Sequence, residues 1–127
     1  MQDLIIRNAR KDDYPAIVQL NAEAVEYTSE MDLNRLAELA SLAVYLRIAE
    51  KKGRAAAFLL AMKNGAAYQN DNFEWFSSRY EKFLYVDRIV VDGKSSGCGI
   101  GSALYKDLFA FARELGIPLI VCEINAI

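Results

Sequence analysis

Val90-Val91-Asp92-Gly93-Lys94-Ser95-Ser96-Gly97-Cys98-Gly99-Ile100-Gly101-Ser102-Ala103-Leu104 decides how this chain folds. An apolar strand runs into a glycine-rich turn, and the turn opens directly into an amphipathic helix. That order gathers free backbone N–H groups at a helix N-terminus, a setting suited to a phosphate or pyrophosphate. Gly97, Gly99 and Gly101 leave no side chain where an anion must approach the backbone. The first ligand to look for is therefore a phosphorylated cofactor.

The elements on either side follow from pattern. Downstream, Ile100 to Leu115 has an apolar seam of Leu104, Leu108, Phe111 and Leu115, with Gly116 as C-cap and Pro118 as a stop. Leu119 to Ile124 is the last strand. A strand, a crossover helix and another strand make a right-handed parallel unit. Upstream, Phe83 to Val91 is the strand that feeds the loop. Arg54 to Met62 and Val44 to Glu50 form a hairpin around Lys51-Lys52-Gly53. The run Ala55-Ala56-Ala57-Phe58-Leu59-Leu60-Ala61 lacks alternation, as in a strand buried on both faces.

Nearer the N-terminus, Leu4 to Ala9 reads as a strand. Tyr14 to Tyr27 reads as a helix, with Asp12 or Asp13 as cap and Pro15 in the first turn. Asp32 to Ala43 reads as a second helix. Lys63 to Tyr80 is a long connection with turn chemistry at Asn64-Gly65 and Gln69-Asn70-Asp71-Asn72, and a short helix near Phe73 to Phe76. Its aromatics, Phe73, Trp75, Phe76 and Tyr80, either line an acceptor pocket or form a small core of their own. The fold class is α/β: a mixed, mostly antiparallel sheet flanked by helices.

Composition narrows the function. The chain has 127 residues, 54% of them apolar, enough for one domain with a real core. A net charge of −2 with interleaved signs does not favour non-specific nucleic-acid binding. No apolar run is long enough to span a bilayer, and residues 1–7 do not read as a signal peptide, so the expected location is the cytoplasm. The two cysteines, Cys98 and Cys122, do not make a disulfide framework. The chain has no histidine, which removes His-based triads, Cys-His dyads and His-ligated zinc. A general base must then be a carboxylate, a tyrosine, a lysine or a relayed water. No metal-ligand cluster is visible, and none is needed.

The element order and the stretch Ser96-Gly97-Cys98-Gly99-Ile100-Gly101 resemble the GNAT (Gcn5-related) N-acetyltransferase superfamily. Its signature is Arg or Gln, two variable residues, Gly, one residue, then Gly or Ala. The resemblance covers nearly the whole chain. It implies acetyl transfer from acetyl-CoA to a primary amine by direct attack in a ternary complex. It also implies that the loop amides of Ser96, Gly97, Cys98, Gly99, Ile100, Gly101 and Ser102 hold the pyrophosphate, and that Ile89, Val90 and Val91 pair with the pantetheine arm.

Two departures stand out. Ser96 replaces the Arg or Gln, which weakens a phosphate contact. The chain also stops before the family's final helix and strands, so the expectation is a C-terminally shortened domain whose last strand edge favours a homodimer. The alternative is a non-catalytic acyl-CoA-binding module or a half-domain completed by a partner. The alternating glycines do not match Gly-x-Gly-x-x-Gly, and no Walker sequence is present. Asp87, Tyr85 and Glu123 are the candidate acid–base residues. Asp87 and Arg88, adjacent in an apolar strand, are expected on opposite faces, so that one faces the cleft. The competing reading of Asp87 is an ion pair with a neighbouring element. Cys98, at a helix N-terminus, is either a reactive thiol or a small loop residue; the small-residue reading is preferred, because a bound pyrophosphate opposes a thiolate.

Overall fold

The first strand, β1 (Leu4–Asn8), lies at one edge of a five-stranded sheet with spatial order β1-β2-β3-β4-β5. The structure is a computed structural model that describes residues 4–26, 28–95, 97 and 99–122. β2 (Tyr45–Lys51) and β3 (Arg54–Lys63) form the expected hairpin. Lys52 and Gly53 both have positive φ, +52° and +78°, which matches the two-residue turn that a right-twisted hairpin favours. β4 (Leu84–Val91) pairs antiparallel with β3, and β5 (Ile120–Cys122) pairs parallel with β4. β3 is buried through its whole middle, as its unbroken apolar run requires.

The sheet has a core on each face. On one side, α1 (Tyr14–Ala22) and α2 (Leu33–Leu42) bring Ile17, Leu20, Leu36 and Leu39 onto Ile48, Phe58, Leu60 and Met62. On the other, α4 (Ile100–Leu115) lays Ile100, Leu104, Leu108 and Ala112 on Ala57, Leu59, Ala61, Leu84 and Val86. Leu115 was expected in this seam but is exposed, because Ala112 completes the last turn of the buried stripe. Gly116 caps the helix at φ +71°, and the Ile117 N–H reaches back to the Ala112 carbonyl at 2.9 Å.

α1 stops at Ala22, five residues before the expected end. The Ala24 N–H turns back to the Asn21 carbonyl at 3.0 Å, and the Asn21 side chain donates to the Ser29 carbonyl at 3.0 Å. These bonds fold the chain away from the helix axis and leave Val25 exposed. α2 keeps its expected bounds, because Asp32 accepts the Arg35 N–H at 2.7 Å as N-cap. The long connection holds the short helix α3 (Asp71–Ser77), capped by Asn70, which accepts the N–H groups of Asn72 and Phe73.

Asp13 starts α1 without a side-chain cap, since its carboxylate is taken by Arg7 at 2.8 and 2.9 Å. Arg7 also reaches Glu50 at 2.9 Å, so one guanidinium ties β1 to the following turn and to β2. The hydrogen bond from Arg7 holds the Asp13 carboxyl at about 2, below its ordinary 3.8. A lowered carboxylate pKa stabilises the folded state above the ordinary value, and that stabilisation is lost as pH falls through the folded value. The stability gap between wild type and Asp13→Asn is therefore expected to stay constant above about pH 5 and to close towards pH 2 in urea titrations. A gap that stays constant across that window would contradict the pairing.

Candidate active site

Asp87 is where β4 changes character. Leu60 opposes Arg88 while Ala61 opposes Val86, so Asp87 is the extra residue of a β-bulge. The side chains follow suit. Leu84, Val86, Ile89 and Val91 face α4, and the two residues between Val86 and Ile89 share the other face. Asp87 and Arg88 are thus on the same side of the sheet, not on opposite sides. Strict alternation fails because the bulge inserts one residue into the period.

The described residues of β5 end opposite Val86, just before the bulge. Leu84, Tyr85 and Val86 pair with Ile120, Val121 and Cys122. From Asp87 to Val91, β4 pairs only with β3 among the described residues.

Beyond Val91 the loop makes a 3₁₀ turn at Gly93–Ser95, held by the Ser95 N–H on the Asp92 carbonyl at 2.9 Å. Gly97 and Gly99 follow at φ +86° and +78°, conformations that L side chains rarely adopt. Gly99 is the N-cap of α4, and no side chain caps the helix. The N–H groups of the first turn, at Ile100, Gly101 and Ser102, have no partner within a helix by its geometry. A Cβ on Gly97 or Gly99 would meet nothing within 4 Å, so no described part of the protein fills the space in front of them. A Cβ on Gly101 would touch only Val91, at 3.7 Å, which sets the first turn of the helix against the end of β4. β4, the glycine loop and the N-terminus of α4 follow one another in the chain, an order that suits a pyrophosphate followed by an extended arm. Ser96, Cys98 and Glu123 lie outside the described residues.

Below the bulge lies a buried polar network: Asp87 is in an ion pair, as its competing reading held, but with Arg88 on its own strand, and the other partners were not foreseen. Asp87 Oδ2 accepts from Arg88 Nε at 2.7 Å, with the two side chains only 4% and 5% exposed. The Tyr68 hydroxyl donates to Asp87 Oδ1. Arg88 Nη1 donates to Asn21 Oδ1 at 3.1 Å and to the Ser29 carbonyl at 3.0 Å, and Nη2 donates to Ser29 Oγ at 3.0 Å. Burial, with Asp87 beside it, pushes the Tyr68 hydroxyl above its ordinary value, so it stays protonated as a donor. No described buried side-chain polar atom lacks a partner. The local signal was the doubled charge in an apolar strand; the partners, 19 to 67 residues away in sequence, carried none.

Tyr85 is buried beside this network among Tyr68, Phe73 and Phe76. Phe73 and Phe76 pack on Phe83 as well, so these two form a small core. Trp75 and Tyr80 stay exposed, with the Arg79 guanidinium 3.8 Å above the Trp75 ring. A cavity of about 660 Å³ opens between α3 and the start of β4, walled by Tyr68, Phe73 and Tyr80.

The model of the Acetyltransferase (GNAT) family matches residues 5–126. The chain belongs to this family. A search of curated proteins finds no significant match. Among solved structures, the GNAT fold recurs in an acetyltransferase of Trypanosoma brucei (TM-score 0.71, 19% identity, 97% of this chain and 84% of that one). It recurs in a ribosomal-protein-alanine N-acetyltransferase of Brucella melitensis biovar Abortus 2308 (TM-score 0.73, 18% identity, 98% and 82%). It recurs again in an aminoglycoside acetyltransferase from an uncultured soil metagenomic sample, solved with sisomicin (TM-score 0.70, 19% identity, 97% and 78%). As a GNAT chain, this protein is an acyl-CoA-dependent acetyltransferase by family, and no described helix is long and apolar enough to cross a membrane.

Proposed function

We propose that the chain transfers an acetyl group from acetyl-CoA to a primary amine by direct attack in a ternary complex. The observation that carries this is the N-terminus of α4 at Gly99, left without a side-chain cap and preceded by the glycine loop that follows β4. The names of two structural neighbours, for an aminoglycoside and for a ribosomal-protein alanine, are consistent with amine acceptors.

The amine must lose a proton before it attacks, since an alkylammonium has no free lone pair and an ordinary pKa near 10. Its nitrogen then bonds to the thioester carbonyl carbon, main-chain N–H groups near Val90 and Val91 stabilise the oxyanion, and the C–S bond breaks as coenzyme A leaves as a thiolate, which takes up the second proton that the nitrogen releases. Of the three acid–base candidates, Asp87 is assigned the proton, through a water, because it is the one described carboxylate among them and sits at the β4 bulge beside Ile89. Its hydrogen bonds to Tyr68 and Arg88 fix the direction of its carboxylate. Tyr85 then serves as part of the wall behind it.

The test is Asp87→Asn, which keeps the size of the side chain but removes the counter-charge of Arg88, so the variant is first shown to be folded by circular dichroism. We expect kcat to fall at least about tenfold, or 1.4 kcal/mol in barrier. Acetyl-CoA affinity should stay within about twofold. An unchanged kcat would move the proton transfer to another group.

A further inference from the structure

We propose that Tyr68 is a positioning residue for the proton transfer, and that Asn70, the N-cap of α3, sets the direction of its hydroxyl. This deepens the acetyl-transfer reading above and rests on Asp87 as the group that takes the proton. Tyr68 lies in the connection between β3 and β4, and its buried ring packs on Phe73 and Tyr85 at centroid distances of 5.5 and 6.3 Å. Those contacts hold the ring in one place. The hydroxyl proton can still turn about the C–O bond, and a hydroxyl has only one proton to give.

Two neighbours decide where that proton points. Asn70 Oδ1 accepts the N–H groups of Asn72 and Phe73, both at 3.0 Å. The cap therefore fixes which end of the amide is oxygen, and Nδ2 is the end that meets the Tyr68 oxygen, at 3.4 Å. A donor on that side leaves the Tyr68 proton to Asp87 Oδ1. Arg88 reaches Asp87 Oδ2 through Nε, while its Nη1 and Nη2 groups go to Asn21 and Ser29. Arg88 thus grips one carboxylate oxygen and Tyr68 the other. The terminal torsion of an aspartate is broad, so a carboxylate held at one point can turn, and one held at two points cannot. Each oxygen keeps a further lone pair, which the two grips aim at the water that carries the amine proton. The cap of a short helix thereby orients the proton acceptor at the bulge, through one tyrosine.

The assay is CoA release from acetyl-CoA by the full chain, with hexylamine as the acceptor probe, on variants first shown to be folded by circular dichroism. Tyr68→Phe keeps the ring and removes the hydroxyl. Its kcat should fall at least about fivefold, with acetyl-CoA affinity within about twofold by calorimetry. Asn70→Asp keeps a good N-cap but puts an acceptor where Nδ2 stood, which draws the Tyr68 proton away from Asp87. Its kcat should fall at least about twofold, although α3 keeps its cap. In an Asp87→Asn background, Tyr68→Phe should cost no more than about 1.5-fold, a coupling that a purely structural role does not produce. Equal kcat in wild type and Tyr68→Phe, beside a loss in Asp87→Asn, would overturn this inference and leave the acetyl-transfer reading standing. Additive losses in the double variant would overturn it as well. Failure of the transferase reading would instead appear as wild type that neither binds acetyl-CoA nor releases CoA.

Discussion

Gly99→Val is expected to lower acetyl-CoA affinity at least about tenfold, or 1.4 kcal/mol, while the domain stays folded. Gly99 sits at φ +78° as the N-cap of α4. A left-handed conformation costs an ordinary L-residue about 1–2 kcal/mol, and a β-branched residue more. The variant either keeps that strain or turns the loop to escape it, and turning redirects the N–H groups of the cradle. If the loop holds its shape, the valine side chain enters the open space that the pyrophosphate needs. Both routes lower affinity, and neither touches the sheet. Calorimetry on a variant with wild-type circular dichroism reads the result. Wild-type affinity would remove the cradle from the binding site.

Arg88→Met is expected to lower stability by about 3–5 kcal/mol, because it leaves the buried Asp87 carboxylate without its counter-charge. It also removes the donor to Asn21 Oδ1 and to Ser29 Oγ, while the Ser29 carbonyl keeps its bond from the Asn21 side chain. The double variant Asp87→Leu with Arg88→Met should recover much of that loss, since apolar replacement of a whole buried pair is often close to neutral. Urea unfolding measures both. If the double variant is no more stable than Arg88→Met, the cost lies in lost shape and not in the unpaired carboxylate.

The glycine loop made the fold readable because its physics is local. Strand, turn and helix N-terminus adjoin in sequence, and each states its role through residue type. The same holds for the Lys52-Gly53 turn, the Asp32 cap and the Gly116 stop. The bulge was harder. Its signal is present in the spacing of Leu84, Val86, Ile89 and Val91, where one interval of two becomes three. Read as simple alternation, that spacing places Asp87 and Arg88 on opposite faces. The end of α1 was hidden for a different reason. Helical propensity continues past Ala22, and only the tertiary bond from Asn21 to Ser29 turns the chain. The partners of Arg88 were not legible, because Tyr68, Asn21 and Ser29 are ordinary polar residues until folding brings them together. Of the proposed site, the cofactor half follows from local sequence and the acceptor half from long-range contacts.

Titration of acetyl-CoA into the ¹⁵N-labelled wild-type chain tests the central claim most directly. The account predicts saturable binding with amide shifts concentrated at Ile89 to Val91 and at Gly99 to Ser102. No binding, or shifts that spare both the β4 edge and the first turn of α4, would contradict it.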